Sequence, residues 1–382
     1  MKRLLSAIRD NQLGLLIGAA TGLVWANAAH ASYERFAHAL HFLVNDVGMV
    51  FFFALAAKEI VEATLPGGAL ASPRRAAVPL LAAAGGMAGP ALLYAWLAVS
   101  TGNEPLLRGW AIPCATDIAF SYLVARWIFG PKHPAIPFLL LLAIADDAMG
   151  LVLLAAFYPT GTVRPGEFLV LVIVAMWIAS VLQKRKVRSF WPYVIGAGVV
   201  SWVAFFRGGL HPALALVPVI PFIPRERRDP GILAEEERHA HDPLNEFEHW
   251  WHTPVQLILF FFGLVNAGVS LSSVGPGTWF VMIGLIAGKP IGIMALSYGA
   301  IAARLGELRG IRVADMLVVG LAAAIGFTVA LFFATAAFPD GDLLAETKMG
   351  ALLSFASAPL AVVAAWVLGV GRFRRHRAGA GS

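Results

Sequence analysis

Two adjacent carboxylates, Asp146 and Asp147, lie near the middle of an apolar stretch that runs from about Ala135 to Tyr158. A charged side chain at the centre of a bilayer costs about 2.5–3.5 kcal/mol on insertion scales, so an acid there indicates a functional site. The alternative is a solvated turn at which a membrane span ends. Because the apolar run continues well past the pair, we expect one span whose carboxylates bind a cation or a proton.

A third acid, Asp117, follows a break in another apolar segment. Pro113 removes a backbone hydrogen bond and disfavours helix in the residue before it, whereas Thr116 and Asp117 can cap a helix that restarts. In lipid such a break is tolerated only where protein or a water-filled cavity satisfies the freed backbone groups. A break beside an acid suits a cation site. Simple helix capping by Thr116 and Asp117 is the alternative, and the two roles are compatible.

A second interruption is indicated at Gly326, within the apolar stretch of the later half. A pair of interrupted segments in the two halves of a chain is the best sequence indication of a transporter's binding site. If the interrupted helices cross, their half-helix ends leave partial charges facing each other at mid-membrane. Asp117 is the obvious carboxylate to neutralise the positive ends.

One cation, Lys289, is also placed well inside a predicted span, between Gly288 and Pro290. A buried ammonium group needs a counter-ion, and the three mid-membrane aspartates are the candidates. The alternative is a lysine whose aliphatic stem reaches the membrane surface. The distance of Lys289 from both predicted ends of its span argues against that alternative.

The second predicted span ends in a charged group made of Lys58, Glu59 and Glu62. The two glutamates are three residues apart and therefore share one face of a helix. The group is interpreted either as a solvated, salt-bridged helix terminus or as the mouth of an ion pathway.

A titratable motif made of Glu248, His249 and His252 precedes the ninth predicted span. Histidine changes charge near neutral pH, which suggests a pH sensor at a funnel mouth. The alternative is an interfacial aromatic belt with incidental histidines. Two histidines without a third ligand do not predict a zinc site, and their order does not match a zinc hydrolase.

Composition requires that these residues be positioned by membrane helices. Hydrophobic residues make up 59% of the chain and charged residues 14%, against about 25% charged in soluble domains. We therefore predict an all-α polytopic membrane protein, a single domain over residues 1–382 with a cytoplasmic loop at 223–248. Its approximately twelve spans are expected near residues 12–29, 39–65, 76–99, 107–127, 135–158, 167–183, 190–204, 208–222, 249–270, 278–302, 314–337 and 347–371.

Charge distribution predicts the orientation of these spans. Most of the 29 Lys and Arg residues fall in the terminal segments and in alternate loops on one side, which places both termini in the cytoplasm by the positive-inside rule. The first span lacks a cleavage site and is expected to be retained as a helix. The net charge of +6 then reflects loops beside anionic lipid and predicts no nucleic-acid partner.

Several of these stretches together resemble the NhaA family of bacterial sodium/proton antiporters, in the order of the family and over almost the whole chain. They are Val-Asn45-Asp46, Ala-Thr116-Asp117-Ile-Ala-Phe, Ala-Asp146-Asp147, Gly-Leu-His211, Glu248-His249 with His252, Asn266-Ala-Gly-Val-Ser-Leu, Gly288-Lys289-Pro-Ile-Gly and Ile-Gly326-Phe-Thr. Taken one at a time, only Ala-Thr116-Asp117-Ile-Ala-Phe and Ala-Asp146-Asp147 are specific for the family. All the motifs together are specific.

The resemblance implies an inverted-repeat fold with two interrupted, crossing helices, marked here by Pro113 and Gly326. It also implies roles for particular side chains. Asp147 would be the main carboxylate for Na+ and H+, and Asp146 would exchange a salt bridge with Lys289. The crossing would hold Thr116 and Asp117, and the cytoplasmic funnel and pH response would involve Glu59, Glu248, His249 and His252.

The resemblance further implies a multi-pass protein of the bacterial inner membrane that forms a homodimer and has no cofactor. It would exchange Na+, and also Li+, for external H+. Elementary chemistry is consistent with this exchange. A proton and a sodium ion that compete for one carboxylate are coupled without a separate coupling mechanism. Adjacent helical residues point about 100° apart, so one aspartate can face the ion while the other faces Lys289. The sequence departs from the family around Glu59, since Lys58 precedes it and the acidic Glu62 follows it where basic residues are usual. This departure concerns the electrostatics of the funnel and the pH set point.

Two other functions remain open on the sequence. One is an antiporter of the same fold with a different cation preference, because a carboxylate–hydroxyl site does not fix ion size. The other is a non-transporting membrane sensor of pH. An enzyme is not expected, because the chain has no nucleophile–base constellation, phosphate-binding Walker loop or metal triad.

Overall fold

The structure, a computed structural model, describes residues 13–65, 68, 70–225, 242–308 and 310–374. All regular elements in this part of the chain are helices. Six of them are long and apolar enough to cross a membrane, or eight if each of two bent helix pairs counts as one span. The predicted all-α membrane fold is therefore confirmed. The chain ends, and residues 226–241 of the predicted loop 223–248, lie outside the described residues.

The α-helices are labelled here in chain order. They are α1 (Leu13–Ala28), α2 (His30–Phe42), α3 (Met49–Thr64), α4 (Pro73–Ser100), α5 (Ile118–Phe129), α6 (Ala135–Phe157), α7 (Pro165–Lys184), α8 (Val199–Gly208), α9 (Pro243–Asn266), α10 (Pro276–Ile283), α11 (Lys289–Ala302), α12 (Val313–Ala323), α13 (Phe327–Ala337), α14 (Asp342–Leu353) and α15 (Ser357–Leu368). Three π-helical segments, Leu43–Gly48, Tyr193–Gly198 and Gly284–Gly288, lead directly into α3, α8 and α11.

The largest differences between the helices and the predicted spans occur in three places. The predicted second span, 39–65, is the end of a longer helical run over His30–Thr64. The ninth predicted span, 249–270, begins earlier, at Pro243. The eighth, 208–222, is a series of turns with short 3-10 segments. Its prolines Pro212, Pro218 and Pro221 lack the N–H groups that a continuous helix needs.

The chain divides into two compact units, each built from two separate stretches of sequence. The first unit comprises residues 1–71 and 151–268. Within it α1 packs closely on α9, because Gly18 leaves room for the carbonyl oxygen of Phe260. The buried hydroxyl of Tyr33 donates to the carbonyl of Val265 at 2.7 Å and accepts from the N–H of Gly268 at 3.0 Å. These contacts fix the end of α9 against α2.

The second unit comprises residues 72–150 and 269–382. Helix α4 crosses α11 in direct backbone contact, since a Cβ atom at Gly85 would collide with the carbonyl of Gly292. The same close approach recurs one turn away, between Gly89 and Gly288. Small residues allow such approaches in membrane helices. This packing holds α11, which begins at Lys289, beside the other elements of the unit.

Candidate cation site

The first interrupted helix is broken at residues 115–117. A 3-10 segment, Ile112–Cys114, contains Pro113, and Ala115 has an extended backbone. Helix α5 then restarts at an angle of 55° to the preceding segment. Asp117 is its N-cap, and its Oδ1 accepts from the N–H of Phe120 at 3.4 Å. The sequence breaks the helix here because Pro113 cannot continue it and Asp117 can start a new one.

The second interrupted helix consists of α12 and α13, which are bent by 51° at Gly326. The two breaks meet, since the N–H of Asp117 donates to the carbonyl of Ile325 at 2.7 Å. A Cβ atom at Gly326 would lie 3.1 Å from the carbonyl oxygen of Ala115 and 3.2 Å from Leu285. Glycine therefore permits the close crossing. The prediction of two interrupted, crossing helices is confirmed.

Asp117 links the two half-helices that begin at the crossing. Its Oδ2 accepts from the hydroxyl of Thr328 and lies 3.3 Å from the Thr328 N–H, while Oδ1 caps α5. The carboxylate is 4% exposed. One negative charge thus faces the positive ends of both α5 and α13, which is the favourable arrangement for helix dipoles.

Asp146 makes the second buried carboxylate of the site. It lies on α6, and its Oδ2 accepts from Lys289 Nζ at 2.8 Å and from Thr116 Oγ1 at 2.6 Å. Lys289 Nζ also donates to the carbonyl of Cys114. Lys289 is completely buried, so its charge is stabilised by the carboxylate and by a carbonyl that the first helix break turns towards it.

The other oxygen of Asp146, Oδ1, is buried and has no hydrogen-bond partner among the described residues. Buried polar atoms are nearly always paired, so an unpaired carboxylate oxygen calls for an explanation such as a proton or an ion. Asp147, the next residue on α6, is half-buried. Asp146 is thus held in the protein interior, and its neighbour lies in a more accessible position.

The remaining predicted site residues belong to the first unit. Lys58 is buried and its Nζ lies 2.6 Å from both Glu62 Oε2 and Glu248 Oε2. Glu59, His249 and His252 are exposed. The structure therefore joins Lys58 to Glu62 and Glu248, whereas the Asp117, Asp146 and Lys289 contacts all lie within the second unit.

The family model described as Na+/H+ antiporter 1 matches residues 4–368. This chain belongs to that family. The resemblance to NhaA antiporters predicted from the motifs is therefore confirmed.

Individual relatives show how complete the similarity to the Na+/H+ antiporter 1 family is. The chain is 46% identical to the Na(+)/H(+) antiporter NhaA 1 of Pelobacter propionicus, covering 97% of this chain and 100% of that protein. It is 45% identical to the Na(+)/H(+) antiporter NhaA of Geotalea uraniireducens, covering 98% and 99%. Among solved structures it resembles the sodium proton antiporter MjNhaP1 of Methanocaldococcus jannaschii, with a TM-score of 0.55, 15% identity and 94% and 90% coverage. The last comparison concerns the fold alone.

Three groups at the crossing, one side chain and two backbone carbonyls, were not predicted from the sequence of this Na+/H+ antiporter family member. Thr328 was not among the predicted site residues, although its position two residues after Gly326, in the first turn of a half-helix, could have indicated a capping role. The carbonyls of Cys114 and Ala323 lie at hydrogen-bonding distance from Lys289 and Thr116, respectively. No side-chain pattern reveals these carbonyls, because any residue supplies one.

Proposed function

We propose that this chain exchanges sodium ions for protons across a bacterial cytoplasmic membrane, with Asp146 and Asp147 as the carboxylates that carry them. One observation supports the proposal most directly. Asp146 is buried at the crossing of two interrupted helices, with one oxygen bound by Lys289 and Thr116 and the other unpaired. A carboxylate in such surroundings favours a compensating charge or a proton over remaining alone.

The chemistry follows from the competition for these oxygens. In the described arrangement Lys289 neutralises Asp146. A sodium ion that reaches the half-buried Asp147 meets a second carboxylate one residue away, and it can replace the ammonium as the partner of Asp146. Hard cations of this kind prefer oxygen ligands, and unwound backbone carbonyls together with half-helix ends provide them in transporters of interrupted helices. Thr116 adds a hydroxyl oxygen beside Asp146.

Proton binding completes the exchange. Protonated carboxylates no longer repel each other, they attract Lys289 less, and they hold sodium weakly. A proton and a sodium ion therefore exclude one another from the same oxygens. Alternate access of this site to the two sides then couples the opposite movements of both ions without a separate energy source. The inward proton gradient drives sodium, and by the same chemistry lithium, out of the cell.

Asp117 has a supporting role in this proposal. It satisfies the positive ends of α5 and α13, so that the crossing does not itself repel a cation. Lys58, Glu248 and the exposed residues Glu59, His249 and His252 are proposed to set the pH response, because histidine is the side chain whose ordinary pKa lies near neutral pH and the carboxylates and Lys58 form a charged group in the same unit.

The orientation and assembly in this proposal follow the charge distribution and the family. Both termini face the cytoplasm, as the positive-inside rule predicts. The protein works as a homodimer in the inner membrane, and its transport needs no cofactor, since the driving force is the proton gradient.

The proposal can be tested in everted membrane vesicles with a preset proton gradient and a pH-sensitive dye. Sodium should restore the dye signal in wild type. Asp146→Asn and Asp147→Asn should each abolish that recovery, since each removes one carboxylate from the exchange. Asp342→Asn, which changes an exposed acid at the start of α14, serves as the matched control and should retain activity.

The outcomes separate the alternatives. Recovery on lithium or potassium without recovery on sodium would replace the cation in the proposal. No recovery with any of the three cations between pH 6 and pH 9, in protein shown to be inserted, would contradict exchange and favour a sensor. Normal activity of Asp147→Asn would exclude Asp147 as a carrier of the ions.

A further inference from the structure

We infer that Pro290 is a positioning residue for Lys289, and that it acts through the π-helical turn Gly284–Gly288. The inference deepens the proposed function, because it concerns the partner that sodium displaces from Asp146. Its first basis is a backbone hydrogen bond. The N–H of Lys289 donates to the carbonyl of Gly284, five residues earlier, rather than to a carbonyl four residues earlier.

Proline explains why the wider turn occurs at this place. In a regular α-helix the N–H of residue 290 would bond the carbonyl of Ile286, but Pro290 has no N–H. The α-helical ladder is therefore incomplete immediately beside Lys289, which removes one bond that would hold residues 284–288 in the α form. Single π turns within helices are rare and are frequent at functional sites.

The wider turn determines where Lys289 points. Each residue of an α-helix advances about 100° around the axis, so one residue more or less before Lys289 changes its direction relative to α10 by about that angle. In the described register, Nζ reaches both Asp146 Oδ2 and the carbonyl of Cys114. The π turn thus directs the ammonium group to the break in the first interrupted helix.

Packing fixes this register from both sides. A Cβ atom at Gly284 would lie 2.9 Å from the ring of Pro113, at the first interruption. A Cβ atom at Gly320, on α12, would lie 2.8 Å from Cα of Pro290. The segment that carries Lys289 therefore touches both interrupted helices, one at the π turn and the other at Pro290. Pro290 contributes to the site by shape and by its missing N–H, not by contact with an ion.

A purely structural role for Pro290 gives a different expectation. Pro290→Ala would then change only the amount or the stability of the protein, independently of the side chain at position 289. A positioning role requires instead that the effect of Pro290→Ala depend on the ammonium of Lys289. A double-mutant cycle measures this dependence directly.

The experiment uses the full chain as wild type, Pro290→Ala, Lys289→Gln and the double variant. Vesicle assays give the apparent KM for sodium and the pH of half-maximal activity, normalised to inserted protein. We expect Pro290→Ala to change the apparent KM about 5-fold with Lys289 present and less than about 2-fold in the Lys289→Gln background, a coupling typical of residues in one network. The control Pro254→Ala alters another mid-helix proline, in α9, and should change neither quantity.

Thermal melting of the four purified proteins without sodium provides a second readout that does not need transport. The loss of melting temperature caused by Pro290→Ala should be smaller in the Lys289→Gln background than in wild type. Equal losses in both backgrounds, or equal changes in apparent KM, would overturn the inference. If wild type shows no cation-dependent exchange, the proposed function fails, and the melting cycle still decides the role of Pro290.

Discussion

Replacing Asp117 by asparagine should destabilise the protein more than the loss of an ordinary helix cap. The substitution keeps the shape of the side chain but removes its charge. In the structure that charge faces the N-termini of both α5 and α13, and one oxygen receives both the hydroxyl and the N–H of Thr328. An asparagine amide has only one acceptor oxygen, so its NH2 group must face donors on one side.

The expected magnitude can be assembled from these contacts. A charge at a helix N-terminus contributes typically 0.3–1 kcal/mol, and up to about 2 kcal/mol where it is partly buried. Two termini therefore give roughly 1–4 kcal/mol. Hydrogen bonds to a charged group are worth about 1.5–3 kcal/mol each, but they overlap with the dipole contribution and are not added to it. We expect a loss of about 2–4 kcal/mol in the free energy of unfolding.

Thermal melting of the purified protein measures this loss, with Glu346→Gln as the control. Glu346 also places a carboxylate at a helix N-terminus, since its Oε2 accepts from the N–H of Gly277 at 2.8 Å. Its carboxylate contacts one helix N-terminus among the described residues, that of α10, and the side chain is half-buried, so its replacement should lower the melting temperature less. An Asp117→Asn variant that melts with wild type, or above Glu346→Gln, would refute the assignment of Asp117 as the bridge between two helix ends.

Three further substitutions test the packing and the ion pairs. Gly85→Val should abolish folded, inserted protein, because its Cβ meets a backbone carbonyl that cannot move aside. Gly299→Val on α11 is the control, because a Cβ atom there would meet no atom of another described segment within 4 Å, and it should remain monodisperse in size-exclusion chromatography. Thr328→Val should lower the melting temperature by the equivalent of about 1–3 kcal/mol, and more than Thr335→Val, whose hydroxyl binds only its own helix. Lys58→Gln removes the ammonium group that lies 2.6 Å from both Glu62 and Glu248 and should cost about 1–2 kcal/mol in the same assay, since the acids are partly exposed.

The sequence predicted the positions of the helix breaks because the residues that cause them have strong local effects. Pro113 and Gly326 each interrupt an apolar run, and Asp117 is a typical capping residue beside the first break. The prediction of helix in 208–222 failed because hydropathy alone determined it, and its prolines received too little weight against the apolar composition. The division into two compact units was not predicted, because each unit joins distant stretches of chain.

Side chains that meet at the crossing were named from the sequence, whereas the backbone groups beside them were not. The pairing of Lys289 with an aspartate followed from the cost of a buried ammonium group, which left three aspartates as candidates, and the family resemblance implied Asp146 among them. The structure selects Asp146 because the π turn before Lys289 determines its direction. No periodicity rule predicts a five-residue turn, and a proline beside a glycine is compatible with several kinds of distortion.

The unequal burial of Asp146 and Asp147 has a consequence for how an exchanger of this kind can work. Two equally buried carboxylates would both need a counter-charge, and a single lysine could not neutralise both. Asp146 lies in the interior, where Lys289 balances its charge. Asp147 is half-buried and is therefore the more accessible of the two acids to an arriving ion. In the proposed exchange, an ion that binds Asp147 would need to displace only one ammonium group to gain a second carboxylate. The energy of that displacement depends on how firmly Lys289 is directed at Asp146, which is why the turn that precedes it should influence sodium affinity from outside the site.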